Sequence, residues 1–179
     1  MQEVVEFILS SIIMVVTPII FGVLTLDNNI RKDKSKVVVA FLISCIIYSL
    51  CYSYFNGGIK TLIVFLLHIF IFNQIFDLNV SKSIFITFIY ALVILVFDMV
   101  QLFFVTYILN ISKEYCYENV AGGFISNTII CIFMWGFIYL FKEKFRKIFC
   151  SKIEKNNNLI FLSIFSIFSI IVLFFDIIT

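Results

Sequence analysis

The chain has 179 residues, of which 63% are hydrophobic and only 13% charged, with 24 Phe and a formal net charge of +2. A soluble domain runs near one-half apolar and one-quarter charged, so a water-soluble globule is excluded, and six Gly with a single Pro exclude collagen-like and disordered chains. The expected fold class is all-α: a polytopic bundle of about six transmembrane helices forming one unit over 1–179.

Six apolar runs approach the roughly 20 residues that a helix needs to cross the hydrocarbon layer. The first, 7–26, follows Glu3 and Glu6 instead of a basic leader, and no small-residue cleavage site comes after it, so it reads as a retained helix. Pro18 removes one backbone hydrogen bond from that helix and predicts a kink. The second run, 37–54, places Ser44, Tyr48 and Cys51 along one face. The third, 61–76, is short and carries His68, the only histidine, near its middle. The fourth, 83–109, is long enough to require tilt or a projecting end. The fifth, 120–141, offers Gly122, Gly123, Ser126, Asn127 and Cys131, small and polar residues that let helices approach closely. The sixth is 159–178.

Basic residues fix the expected threading, because cytoplasmic loops retain Lys and Arg. The connection 27–36 holds Arg31, Lys32, Lys34 and Lys36; 77–82 holds Lys82; 142–158 holds Lys142, Lys144, Arg146, Lys147, Lys152 and Lys155. Only Lys60 and Lys113 fall on the other side, with Glu3, Glu6, Glu114 and Glu118. With six crossings, this split predicts both termini outside. The codon-biased usage of Ile, Phe, Asn and Lys suggests an AT-rich bacterial genome, hence a multi-pass protein of the bacterial cytoplasmic (inner) membrane. In 142–158, Phe141, Phe145, Ile148, Phe149 and Ile153 recur at helical spacing around the basic residues. Two readings follow: an interfacial amphipathic helix on anionic lipid, or a solvated basic loop that only enforces topology.

Polar residues within apolar runs should face other helices. Ser83, Thr87, Tyr90, Asp98 and Gln101, with Ile94 in the gap, make one stripe on the fourth helix. A carboxylate at mid-membrane costs about 2.5–3.5 kcal/mol unless it is paired or solvated, and His68 is the candidate partner of Asp98. Such a pair would sense protons or fix a helix arrangement; the plainer alternative is a satisfied interhelical hydrogen bond. The intramembrane polar candidates are therefore His68, Asp98, Gln101 and Asn127. Outside, the connection 110–119 is rich in Tyr and acid, and Glu114, Tyr115, Glu118 and Tyr117 are the candidate ligand contacts, or else aromatic-belt anchors.

Catalytic groupings are missing from the sequence. A single His excludes two-histidine chemistry, and there is no phosphate-binding Gly loop, no GxSxG and no basic-aromatic nucleic-acid surface. The five cysteines show no CxxC spacing, so neither a disulfide framework nor a metal site is expected. The expectation is a non-enzyme without cofactor.

The order of features resembles the membrane sensor region of AgrC-like, GHKL-type bacterial histidine kinases. The residues that carry the resemblance are Asp98-Met99 in the fourth run, Tyr139-Leu140-Phe141-Lys142 leaving the fifth, and Asn156-Asn157-Asn158-Leu159-Ile160-Phe161-Leu162 entering the sixth. The resemblance spans nearly the whole chain. It implies recognition of a secreted, often cyclic, peptide from outside, relayed by helix repacking to a cytoplasmic kinase, as in quorum-sensing two-component systems. The family continues through a further crossing into a phospho-acceptor helix and an ATP-binding domain, elements that these 179 residues do not contain. The expected partners are the bilayer, an extracellular peptide, and a second copy or a separate kinase. Two alternatives stand beside this one: a small transport component binding a small-molecule substrate, and an AgrB-like membrane peptidase using His68 with Cys51 or Cys45.

Overall fold

The structure, a computed structural model, describes residues 2–26, 30–55, 57–108 and 120–151. Its elements are α1 (Gln2–Thr25), α2 (Lys34–Tyr54), α3 (Gly57–Phe76), α4 (Val80–Phe103), a π-helical turn (Phe104–Ile108) and α5 (Val120–Ser151). Among the described residues there is no strand. Among the described residues, three stretches are long and apolar enough to cross a membrane, Lys34–Cys51, Gly58–Phe76 and Val80–Ile108, and α1 adds a shorter apolar stretch, Ser11–Thr25. The sixth expected crossing, 159–178, lies outside the described residues.

Two of the helices, α2 and α4, begin where a side chain satisfies a free amide. Asp33 caps α2, its carboxylate accepting from the Lys36 amide and from the Ser35 hydroxyl, and Asn79 caps α4 through the Lys82 amide at 2.9 Å. The α3–α4 turn is tight because Asp77 adopts a left-handed backbone (φ 53°) directly after the last helical residue, Phe76.

Successive helices alternate in direction. Ser49 of α2 donates to Ser11 of α1 at 3.0 Å, and Cys51 of α2 approaches the Lys60 carbonyl of α3. α4 and α5 run antiparallel through the ring pairs Phe85–Phe149, Phe97–Phe137 and Phe104–Phe133. α1 packs on α2, α3 and α5 and therefore forms the centre.

The lipid-facing logic is visible in what is left uncovered. α2 exposes Val39, Leu42, Ile46 and Leu50, spaced at three and four residues, a stripe that only a hydrocarbon environment or a partner would tolerate. Its opposite side buries Ala40, Ser44, Tyr48 and Cys51, the face that the sequence marks. Inside, hydroxyls satisfy themselves against the carbonyl one turn back: Thr17 on Ile13, Thr25 on Phe21, Ser44 on Ala40 and Ser83 on Asn79.

Two features depart from the sequence reading. α1 starts at Gln2 and so takes Glu3 and Glu6 into the helix. More substantially, α5 runs through the segment expected to be a loop from 142 to 158 and ends at Ser151; the rest of that segment is outside the described residues. The cause is aromatic packing. Phe145 and Phe149 lie 5.8 and 6.2 Å from the Phe21 ring of α1, so this face of 142–151 is held in the bundle and is not free to lie on lipid. The interleaved cations do not end the helix, because Lys142 rests over the Tyr139 ring and Lys144 over the Phe141 ring.

Candidate functional site

The interior polar seam is built on α4. Ser83, Thr87 and Tyr90 are all buried, at the four- and three-residue steps that place them on one helix face. Facing them, His68 of α3 meets the Tyr90 ring edge-on at 5.0 Å, and Phe21 of α1 lies 5.2 Å from the same ring. Phe72 completes the layer at 6.0 Å from Tyr90 and 6.2 Å from Phe21. Edge-to-face pairs at these separations contribute about 0.5–1.5 kcal/mol each beyond simple burial. Beside the layer, Cys131 of α5 touches the Thr17 hydroxyl of α1 at 3.5 Å. One hydroxyl of the seam has no partner: Thr87 Oγ1 is fully enclosed yet makes no hydrogen bond.

The stripe expected on α4 is thus interior over its first half and changes character in its second. Ile94 and Gln101 are half-buried, and Asp98 is exposed. The expected His68–Asp98 pair does not form. His68 meets Tyr90, and Asp98 stands eight residues further along α4, about 12 Å at 1.5 Å per residue. Among the described residues the ion pairs lie elsewhere: Arg31–Asp77 at 3.1 Å, Lys36–Asp33 at 3.5 Å and Arg146–Glu143 at 3.3 Å.

Of the remaining candidates, Glu114, Tyr115, Tyr117 and Glu118 lie outside the described residues, as does the side chain of Asn127. Cys51 is buried and Cys45 half-buried; both are free thiols on α2, and neither is bonded to His68 in the seam. Among the described residues no three His, Cys, Asp or Glu side chains gather as a metal site would require.

Sequence reasoning missed two contacts that hold the site. Gly22 of α1 sits under the Phe76 ring so closely that a Cβ there would lie 2.3 Å from Cζ. The second is a clamp. Arg31 donates its backbone amide to the Ile75 carbonyl at 2.8 Å and its guanidinium to the Gln74 carbonyl at 3.4 Å, besides pairing with Asp77. The only signals in the sequence were a lone small residue in one apolar run and a single acid, Asp77, placed just after another such run; neither names its partner. The clamp brings the 30–33 connection onto the α3–α4 turn, and the Phe85–Phe149 contact brings the end of α5 to the start of α4. The three basic segments therefore share one end of the bundle.

No protein-family model, no curated protein and no solved structure matches this chain.

Proposed function

We propose that the chain is a non-catalytic, sensor-like module of the bacterial cytoplasmic membrane, crossing it six times with both termini outside, that recognises an extracellular ligand and passes the change on by helix repacking. The observation that carries this reading is the gathering of the basic segments at one end of an alternating bundle whose core is a polar and aromatic seam. Cations at one end set the direction of threading, and the relay would act by repacking the seam, whose Thr87 hydroxyl has no partner in this arrangement. The resemblance to the sensor region of AgrC-like kinases supplies the ligand class, a secreted peptide, and the partner class, a kinase or a second copy.

Threading is tested by placing a cysteine at Lys32 or at Lys144 and treating intact cells with a membrane-impermeant thiol reagent. Both sites should react only after permeabilisation; labelling of one of them in intact cells would overturn the topology. Recognition is tested by saturable binding of the peptide fraction of conditioned medium to the protein in nanodiscs. Binding that weakens in Glu114→Ala and Glu118→Ala supports the loop 110–119 as the contact; unchanged binding in both removes those residues, and no saturable binding at all removes the sensor reading.

A further inference from the structure

One side of α5 is uncovered from Phe133 to Lys147, and its chemistry changes part-way along. Phe133, Phe137, Leu140, Lys144 and Lys147 follow one another at steps of four, three, four and three residues, which keeps them in one stripe along the helix. All five are exposed, while Phe145 and Phe149 turn the other way, into the rings around Phe21. The stripe is apolar over about 10 Å from Phe133 to Leu140, and Lys144 follows about 16 Å from Phe133, close to the depth of hydrocarbon in one leaflet. The change falls where the hydrocarbon layer should end. The steps from Phe85 to Phe97 on α4 and from Phe149 to Phe137 on α5 are equal, so the paired rings set Lys144 level with Tyr90. The apolar stretch Val80–Ile108 holds 29 residues, about 43 Å against a hydrocarbon layer of roughly 30 Å. Counted from Ile108, that layer is crossed by about residue 89, and between 81 and 95 no large apolar side chain of α4 is exposed. The other side of the bundle gives the same level. Ser49 of α2 bonds Ser11 of α1, and ten residues from each, Val39 stands level with Phe21, whose ring meets Tyr90. The exposed apolar residues of α2 begin there, at Val38 and Val39, directly after Lys36.

Two ammonium groups lean back from this level toward the apolar part of α5. Lys142 Nζ lies 4.6 Å over the Tyr139 ring and Lys144 Nζ 5.1 Å over the Phe141 ring, each ring three residues nearer the start of the helix, the direction in which helical side chains incline. A cation held at the edge of hydrocarbon is unfavourable without an anion beside it. The acids of this end are already engaged: among its described residues nine Lys and Arg accompany only Asp33, Asp77 and Glu143, which pair with Lys36, Arg31 and Arg146. We infer that this stripe of α5 binds one anionic phospholipid, its phosphate held by Lys144 and Lys147 and an acyl chain laid along Leu140, Phe137 and Phe133. An apolar track as long as one leaflet is deep, ending in charge of the opposite sign at the level of the headgroups, fits such a lipid; an acidic protein segment would match the lysines but not the track. The inference requires a membrane and not a sensor, and it is the same whichever compartment the basic end faces.

The test uses the whole chain in nanodiscs, with the single tryptophan removed by Trp135→Phe and a new one placed in the stripe by Leu140→Trp. Its fluorescence is measured in mixtures of phosphatidylglycerol and phosphatidylcholine, with dibrominated acyl chains on the first lipid in one series and on the second in the other. Bromine quenches only at close range, so the two series give the relative affinity of the lipids beside that ring. The expected preference for phosphatidylglycerol is at least about fivefold, the ratio that one lysine near an anionic lipid supplies. Lys144→Gln with Lys147→Gln should bring the ratio close to unity. Lys32→Gln with Lys34→Gln removes as much charge from the same end but away from the stripe, and should leave the preference in place. An equal loss in the two double variants would reduce the preference to diffuse surface charge and overturn the site. Equal quenching by the two lipids would overturn it as well, and so would fluorescence that neither lipid quenches, which would mean that protein covers the stripe. Phe137→Trp repeats the measurement if Leu140→Trp does not assemble.

Discussion

At the basic end of the bundle, Phe21 meets the four rings of Phe72, Tyr90, Phe145 and Phe149, Gly22 is pressed under Phe76, and Arg31 ties the α1–α2 connection to the α3–α4 turn. Eight residues beyond Tyr90 along α4, toward the other end, Asp98 has accessible surface and no partner among the described residues, and the helix loosens into a π turn. The same helices thus carry an interlocked aromatic cluster at the basic end and, farther along α4, a carboxylate with no partner among the described residues. Without water between helices, association in lipid depends on close packing and interhelical polar contacts, so the interlocked end supplies cohesion to the bundle.

The first way to break that contrast is Phe21→Ala. Removing a fully buried aromatic ring from a core generally costs about 3–5 kcal/mol, and here the loss should fall near the lower value because the unfolded helices remain in lipid. Unfolding in mixed detergent micelles should show the shift. Should the variant prove as stable as the parent, the basic end would not be the cohesive one. Next is Gly22→Ala, where one methyl collides with a ring that cannot withdraw because Phe76 is itself buried. Overpacking of this kind costs about 1–3 kcal/mol. Combining it with Phe76→Leu should recover part of the loss, a non-additivity expected only if the two residues touch.

How much of this was legible beforehand depends on which force places each residue. The apolar runs behind α2, α3 and α4 could be read directly, because crossing a bilayer demands a length that composition displays. The inward direction of Ser83, Thr87 and Tyr90 could be read as well, since helical spacing alone determines it. Pairing could not. Whether His68 meets Tyr90 or Asp98 depends on the level at which α3 and α4 align, which the three-residue turn at 77–79 sets. The continuation of α5 past 141 was hidden for a related reason: Lys142, Lys144, Arg146 and Lys147 look like a stop until Phe145 and Phe149 find Phe21. Gly22 was equally silent, being small for the sake of a ring 54 positions away.

The Arg31 clamp predicts a smaller effect. Its pair with Asp77 is partly open to solvent, and exposed ion pairs contribute about 1 kcal/mol or less. Arg31→Ala should destabilise more than Asp77→Ala, because the guanidinium also donates to the Gln74 carbonyl while the carboxylate has only the one partner described. Raising salt should weaken the parent toward Asp77→Ala. Equal effects of the two substitutions would mean that the carbonyl contact contributes nothing.

The smallest expected effect belongs to the cap of α2. The Ser35 hydroxyl and the Lys36 amide both donate to the Asp33 carboxylate and hold it below the ordinary carboxylate range. A group whose folded value is depressed contributes stability at higher pH and loses it as pH falls through that value. The first turn of α2 should therefore be intact at neutral pH and fray only below about pH 4, seen as faster hydrogen exchange at the Lys36 amide than acid slowing of intrinsic exchange would allow. Asp33→Asn keeps an acceptor but cannot titrate, so its exchange should follow the intrinsic pH profile throughout. A parent that also follows that profile would show that the cap is dispensable, and that the basic end is held by Phe21, Gly22 and Arg31 without help from the start of α2.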